Sequence, residues 1–441
     1  MELAELTTVP TTENQLPEGW HQMAVSDFAK KMRSGGTPKS DNPDYYGGEI
    51  PFAAIEDLTN TNKYLVKTQK YITKLGLGSS SAWIVPKNSL LYSIYATLGV
   101  PRINKIEAAT NQAILAIIPD EKKILLEFMY YLLLEKRSSI LAHSAHTTQS
   151  NLNAKIVKEL EFTIPQSLIE QRQIAAILTK IDEAIAQTEA LIAKYNRLKT
   201  GLMQDLLSRG IDEQGRIRNE ATHAFKDSPL GRIPVEWGVE KLSKLAKITA
   251  GVTLGKEYAE SGSIELPYLR VANVQDGYLD LSDIKYVRVP IAQLSRYKLE
   301  IGDVLMNEGG DFDKLGRGSV WQGQIPNCLH QNHVFKVRLN QKAMLPEFLS
   351  LFSSSSFGKS FFILSSKQST NLASINKNQL SEFPILKPCI EEQISILETI
   401  HRQSNLILEM EKHLQKLKSL KSGLMQDLLS GRVRVGQTAE K

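Results

Sequence analysis

His143 and His146, and again His330 and His333, stand at a spacing at which two imidazoles of one loop could hold a metal ion. Neither pair has the cysteines or acidic cluster that would complete a zinc site, so ordinary loop histidines are the better reading. Gly251-Val252-Thr253-Leu254-Gly255-Lys256 resembles a phosphate-cradling loop. It is one residue short, and Glu257 stands where Mg²⁺ would need a serine or threonine hydroxyl. No Ser-His-Asp set can be argued from spacing.

Asn42-Pro43-Asp44-Tyr45 resembles the Asn-Pro-Pro-Tyr loop of amino-methyltransferases. Asp44 replaces a proline, and no glycine-rich cofactor loop follows a strand upstream. The sequence therefore reads as non-catalytic, with no metal ligands. What remains is chemistry suited to binding. In the first half the candidates are Thr37, Lys39, Lys63, Lys67, Tyr92, Tyr95, Arg102, Thr148, Gln149 and Asn151. In the second they are Lys256, Arg270, Asn273, Asn307, Arg317, Lys367, Gln368 and Thr370. Lys and Arg neutralise phosphates, whereas Arg, Asn and Gln can pair bidentately with purine edges in the major groove. For any single residue, an ordinary solvated surface is the competing reading. The polar run before the last strand of each half rises above it because it recurs.

The elements that position these residues are duplicated. Leu198–Ser208 reads LKTGLMQDLLS and Leu420–Ser430 reads LKSGLMQDLLS, an offset of 222 residues with one difference, Thr200 against Ser422. Upstream, a heptad seam runs through Ile174, Leu178, Ile181, Ile185, Thr188, Ile192, Tyr195, Lys199, Leu202 and Leu206. At the same offset it recurs as Ile396, Ile400, Gln403, Ile407, Met410, Leu414, Leu417, Lys421, Leu424 and Leu428. That pattern predicts two long helices packed as an antiparallel coiled coil. Two amphipathic helices, each packed on its own domain, are the alternative. Gly201 and Gly423 are costly inside such helices. Close approach to a partner backbone or a frayed last turn would account for them.

Each helix follows an α/β domain. Leu16-Pro17-Glu18-Gly19-Trp20 is echoed by Ile233-Pro234-Val235-Glu236-Trp237, and Thr110-Asn111-Gln112 by His330-Gln331-Asn332. The halves differ strongly in their domains and little in their helices, so the helices share one task and the domains have two targets. Arg209–Leu230 reads as a linker or extended crossover, and the tail after Ser430 as short and loose.

A formal charge of +5 and an isoelectric point near 8.8 are only mildly basic. Two cysteines exclude a disulfide framework and suit a reducing cytoplasm. The first residues lack the basic and apolar regions of a signal peptide. Ile124–Glu135 is too short to span a bilayer.

Taken together, these stretches resemble the specificity subunit of type I restriction–modification systems. The resemblance rests on SGGTPKSDNPDYYGGEIPF at 34–52, IEQRQIAAIL at 169–178 with its echo IEEQISIL at 390–397, FKDSPLGRIPVEW at 225–237 and GLMQDLLSGRVRV at 423–435. It implies a mixed α/β chain with an internal pseudo-two-fold duplication. The expected parts are target-recognition domains at 1–165 and 231–388, coiled-coil helices at 166–208 and 389–430, a linker at 209–230 and a tail at 431–441. It further implies that each domain reads one half of a bipartite, asymmetric site in double-stranded DNA. Two modification subunits, which methylate adenine with S-adenosylmethionine, and restriction subunits using ATP and Mg are the implied partners; no cofactor is expected on this chain, and no membrane. The seam from Ile174 to Leu206 covers 32 residues, roughly 48 Å at 1.5 Å per residue, against about 34–36 Å per turn of DNA. The second domain has Gly251-Val252-Thr253-Leu254 where the first has Gly-Gly-Thr-Pro, so its opening loop is expected to differ. The alternative is a coiled-coil scaffold carrying two protein-binding domains without DNA contact. A fused methyltransferase or nuclease lacks its motifs.

Overall fold

The computed structural model describes residues 6–8, 16–145, 152–255, 257–310, 315–316, 318–368 and 373–435, with 6–8, 142–145, 310 and 367–368 described in the backbone only. The chain forms two compact units, Met1–Ala190 with Lys412–Lys441, and Leu191–Glu411.

In the first unit a five-stranded sheet runs in the order Ala29–Ser34, Ile114–Pro119, Leu90–Ser93, Pro101–Asn104, Tyr64–Leu65. All neighbours are antiparallel except the last pair. Strand side chains alternate between faces, and both faces are covered. Leu90, Tyr92, Leu115 and Ile117 face the core built with the helix Leu126–Glu135, while Leu91, Ile114 and Ala116 join Leu58, Leu65 and Val85. A second sheet contains Tyr46–Ala53 between Lys70–Ile72 and Ala108–Thr110, with Ile84–Val85 at the edge.

The second unit repeats the plan. Ala246–Thr249, Val334–Leu339, Val304–Asn307 and Gly318–Val320 form an antiparallel sheet, its inner face packed on Pro346–Ser354. Gly251 sits where Gly35 sits in the first unit. A Cβ on Gly35 would lie 1.8 Å from the Thr110 carbonyl oxygen, and one on Gly251 would lie 2.0 Å from that of His330. The opening loops therefore share one close backbone approach, and the expected difference is confined to the residues that follow.

The long helices run Leu168–Ser208 and Ile390–Leu429. Ser167 Oγ accepts the Glu170 amide and caps the first. In the first unit Ile174, Ala175 and Leu178 pack with Leu424, Met425, Leu428 and Leu429. Lys421 pairs with Asp182 at 2.6 Å and Lys418 with Glu189 at 2.8 Å. In the second unit Leu202, Met203, Leu206 and Leu207 meet Ile396, Leu397 and Ile400. Within each unit, rising numbers on one helix meet falling numbers on the other, so the pairing is antiparallel. Ile174, Leu178, Ile181, Leu206, Ile396, Ile400, Ile407 and Leu428 are buried. Ile185, Ile192, Leu202, Leu414, Leu417 and Leu424 are half-buried.

Each helix start is tied to its domain by the same two polar residues. Gln171 Nε2 donates to the Lys123 and Pro165 carbonyls, and its Oε1 accepts the Leu125 amide. Gln393 does the same with Ala343, Pro388 and Leu345. Glu170 accepts Arg434 at 2.6 and 3.0 Å, with the Arg434 guanidinium over the Trp20 ring. Glu392 accepts Arg218 and, at 2.9 Å, the Trp237 indole N–H.

The stretch expected as a linker or extended crossover and the tail expected to be loose both carry contacts to the helix starts. Arg218 in the one and Arg434 in the other are the clasps on these glutamates. Val433–Val435 pairs antiparallel with Leu6–Thr8, and Phe225–Ser228 with Gly231–Pro234. The tail beyond Val435 lies outside the described residues.

Candidate nucleic-acid interface

In the first unit, three segments converge on a concavity of about 660 Å³ lined by Thr37, Tyr46, Gln69, Lys70, Tyr71 and Asn111 among others. Asp57, itself buried, holds the rim: its carboxylate accepts the Ala54 amide at 2.9 Å and the Gln69 amide at 2.8 Å. Tyr46 OH donates to the Pro38 carbonyl at 2.8 Å, and Thr37 Oγ1 donates to Gln112 Oε1. The Asn111 amide donates to the Ala53 carbonyl at 3.2 Å, which fixes the third segment. Exposed Gln69, Lys70 and Tyr71 thus stand beside an amide, a hydroxyl and a cleft. Such a set can accept a phosphate, stack on a ring and donate to a base edge. Of the residues singled out in the sequence, Thr37 lines it, as does the loop lysine Lys70. Gln69 and Tyr71 were missed, because nothing in their spacing separates them from other loop residues.

Lys39 and Lys67 are exposed, and Tyr95 is partly so, on a loop where Ala96 takes φ +60°. Four candidates are corrected. Lys63 is only 8% exposed; its ammonium meets Glu127 at 2.5 Å, Thr179 at 2.9 Å and Tyr131 at 3.3 Å, tying a loop to the first long helix. Tyr92 is fully buried in the main core, and burial pushes its phenol well above its ordinary range. Asn273 caps a short turn: its Oδ1 accepts the Arg270 amide at 2.9 Å, and its Nδ2 donates to the Asp280 and Asp283 carbonyls. Asn307 is buried and donates to the Val274 carbonyl at 3.0 Å.

Two further candidates are only partly free. Arg102 is half-buried, donates to the Pro101 carbonyl and is shifted down by burial. Arg270 is held by Asp283 at 2.8 Å. Thr148, Gln149, Asn151, Lys256, Arg317 and Thr370 lie outside the described residues, as do the side chains of Lys367 and Gln368.

Among the described residues, no group of three or more His, Cys, Asp or Glu could hold a metal ion, and no helix is long and apolar enough to cross a membrane. His330 is fully buried and donates through Nδ1 to the Val334 carbonyl. Burial holds its imidazole down to about 4. His333 pairs with Glu308 at 2.6 Å.

Residues 17–197 and 234–421 match the family described as the type I restriction modification DNA specificity domain. Over 435 residues the chain is 23% identical to the MjaIX type I restriction enzyme specificity subunit of Methanocaldococcus jannaschii, covering 96% of each. It is 22% identical over 448 residues to the EcoKI specificity subunit of Escherichia coli, covering 97% of this chain and 91% of that one. The fold is similar to that of the S subunit from M. genitalium (TM-score 0.52, 15% identity, 96% and 98% of the two chains). It is also similar to a chain from a study of type I R-M complex assembly and conformational transition (TM-score 0.60, 16% identity, 95% and 99%).

Proposed function

The chain belongs to the type I restriction–modification DNA specificity family, and from that premise we propose that it is the sequence-specificity subunit of a methylating and restricting complex. Each α/β domain reads one half of a bipartite, asymmetric site in double-stranded DNA. The antiparallel helices set the unread spacer and dock the modification subunits. Adenine methylation with S-adenosylmethionine, and ATP- and Mg-dependent translocation and cleavage, belong to the partner subunits. This chain is non-catalytic and works in the cytoplasm.

The observation that carries the reading is the contrast within one chain between matched helices and diverged domains. At the strand position where the first domain has Ala116, the second has Lys336; where the first has Tyr92, the second has Met306. Even buried positions of the shared frame have diverged, and two such different domains on one repeated frame suit two different half-sites.

The partner stoichiometry is supported by which helix residues repeat. Upstream of the repeated stretch the helices differ even at seam positions, Thr188 against Met410 and Tyr195 against Leu417. Within the repeated stretch exposed positions are kept as well as buried ones: Leu198 and Leu420 are 51% and 52% exposed, and Gly201/Gly423 and Gln204/Gln426 are exposed as well. A Cβ on either glycine would meet nothing within 4 Å, and both helices continue past them. Neither packing inside the chain nor a frayed end accounts for them. A surface that meets the same partner twice does.

The test is selection from randomised duplexes by the chain assembled with its modification subunit. Enrichment of one split motif, two short defined parts around a fixed gap, is the expected outcome; enrichment without any shared motif overturns the reading.

A further inference from the structure

The edge strand Ala246–Thr249 pairs with Val334–Leu339 so that Lys247 faces Arg338 and Thr249 faces Lys336. Together with Arg296 and Lys377 these residues line a concavity of about 750 Å³ in the second unit. Five cations surround it, and no carboxylate, Asn or Gln is in the lining.

Their states differ. Arg338 is spoken for: Asp303 receives it at 2.7 Å and Glu300 at 2.7 Å. Lys336 is 4% exposed, and its ammonium donates to the Arg296 carbonyl at 2.9 Å and the Lys298 carbonyl at 2.8 Å, with no carboxylate bonded to it among the described residues. Burial pushes it down, with the Asp303 and Glu300 carboxylates opposing and the Arg338 and Lys247 charges adding to the push. Lys247, Arg296 and Lys377 are exposed and make no ion pair among the described residues. A buried ammonium held by carbonyls alone, under three unpaired cations, is a site whose charge is completed by an anion from outside.

The first domain lacks this arrangement. At the positions of Lys336 and Arg338 its strand carries Ala116 and Ile118, and on its edge strand Lys31 and Arg33 lie over the Trp83 ring at 4.3 and 5.7 Å. The concavity is therefore a property of one recognition domain and not of the repeated frame.

We propose that this concavity is a phosphate site, occupied by the sugar–phosphate backbone of the duplex beside the half-site that the second domain reads. It rests on the DNA-specificity reading above. Lys247, Arg296 and Lys377 close on the phosphate oxygens, and Lys336 fixes the floor. The lining offers charge without amide side chains that pair with base edges, so the contact positions the domain and carries no sequence information.

The experiment compares duplex binding by the chain assembled with its modification subunit, from about 50 to about 200 mM salt. The variant is Lys247→Gln/Arg296→Gln/Lys377→Gln. The control, Lys241→Gln/Lys244→Gln/Lys342→Gln, removes the same charge elsewhere in the unit. The site predicts that the log–log salt slope of the first variant falls in magnitude by about 2 to 3, at roughly 0.9 for each phosphate no longer neutralised, while discrimination between matched and mismatched half-sites is kept. A slope equal to the control's overturns the proposal. So does loss of assembly with the modification subunit at unchanged slope, which would make the concavity a seat for an acidic protein surface. Competition by inorganic phosphate that is equal in variant and wild type also overturns it. A wild-type complex with no sequence preference would overturn the specificity reading instead, and the slope comparison on any duplex would still decide the phosphate site.

Discussion

Glu392 receives the Arg218 guanidinium on both carboxylate oxygens, with Arg218 9% and Glu392 7% exposed, and the Trp237 indole completes the site. Two charges out of water hold together because each is the other's partner. The clasp joins the segment after the first long helix, the start of the second and the first turn of the second domain. Glu170 and Arg434 repeat it in the other unit with Trp20.

Removing one member leaves the other buried and uncompensated. Arg218→Ala is expected to destabilise the second unit by about 3 to 5 kcal/mol, read as a fall in the denaturant midpoint. Arg218→Met/Glu392→Met is expected to recover most of the loss. Equal loss in single and double variants would mean that packing around Arg218, and not its charge, is what matters.

His330 gives the second unit a pH dependence. Its folded value is held near 4 by burial, against an ordinary value of 6.5, so the unfolded chain takes up this proton first. Stability is full above about pH 6.5 and is lost as pH falls towards 4, an effect on the order of 3 kcal/mol. The first domain has Thr110 at the matching place. Thermal scans of His330→Thr from pH 7 to about 4.5 should show a flatter decline than wild type; parallel curves would contradict this.

How much of this was legible in the sequence depended on whether a residue had a periodic neighbour. The helix seam was readable because burial recurs every three or four residues, as at Ile174, Leu178 and Ile181. Lys63 and Tyr92 were misread because polarity suggests exposure, whereas Lys63 meets Glu127 and Thr179 from distant segments and Tyr92 fills a core position that is Met306 in the other half. The apolar Met306 at the matching place marks Tyr92 as a core position. Asn273 could have been found the same way, since Asp57 caps the matching turn. Lys336 gave no sequence signal; only the strand register sets it opposite Thr249 and within reach of the Arg296 and Lys298 carbonyls.

The exposed glycines separate the fold from the assembly. Gly201→Ala and Gly423→Ala are each expected to stabilise the isolated chain by about 0.5 to 1 kcal/mol, since alanine is the better helix residue and a Cβ meets nothing there. Gly201→Leu or Gly423→Leu is expected to cost one bound modification subunit, and the pair both, in mass photometry of the assembled complex. Two copies on the double variant would remove these helix surfaces from the docking account.

The helices as a ruler make a further prediction. Inserting three or four residues at the same depth of both helices adds roughly 5 Å, or one to two base pairs at about 3.4 Å each. The unread spacer should lengthen by that amount while both half-sites stay as they were. A changed half-site with an unchanged spacer would contradict it.

The central claim is tested most directly by co-expressing this chain with its modification subunit and mapping methylated adenines across the host genome. The account predicts methylation at a single split motif that disappears when this chain is omitted. A complex that forms but gives no methylation dependent on this chain would contradict it.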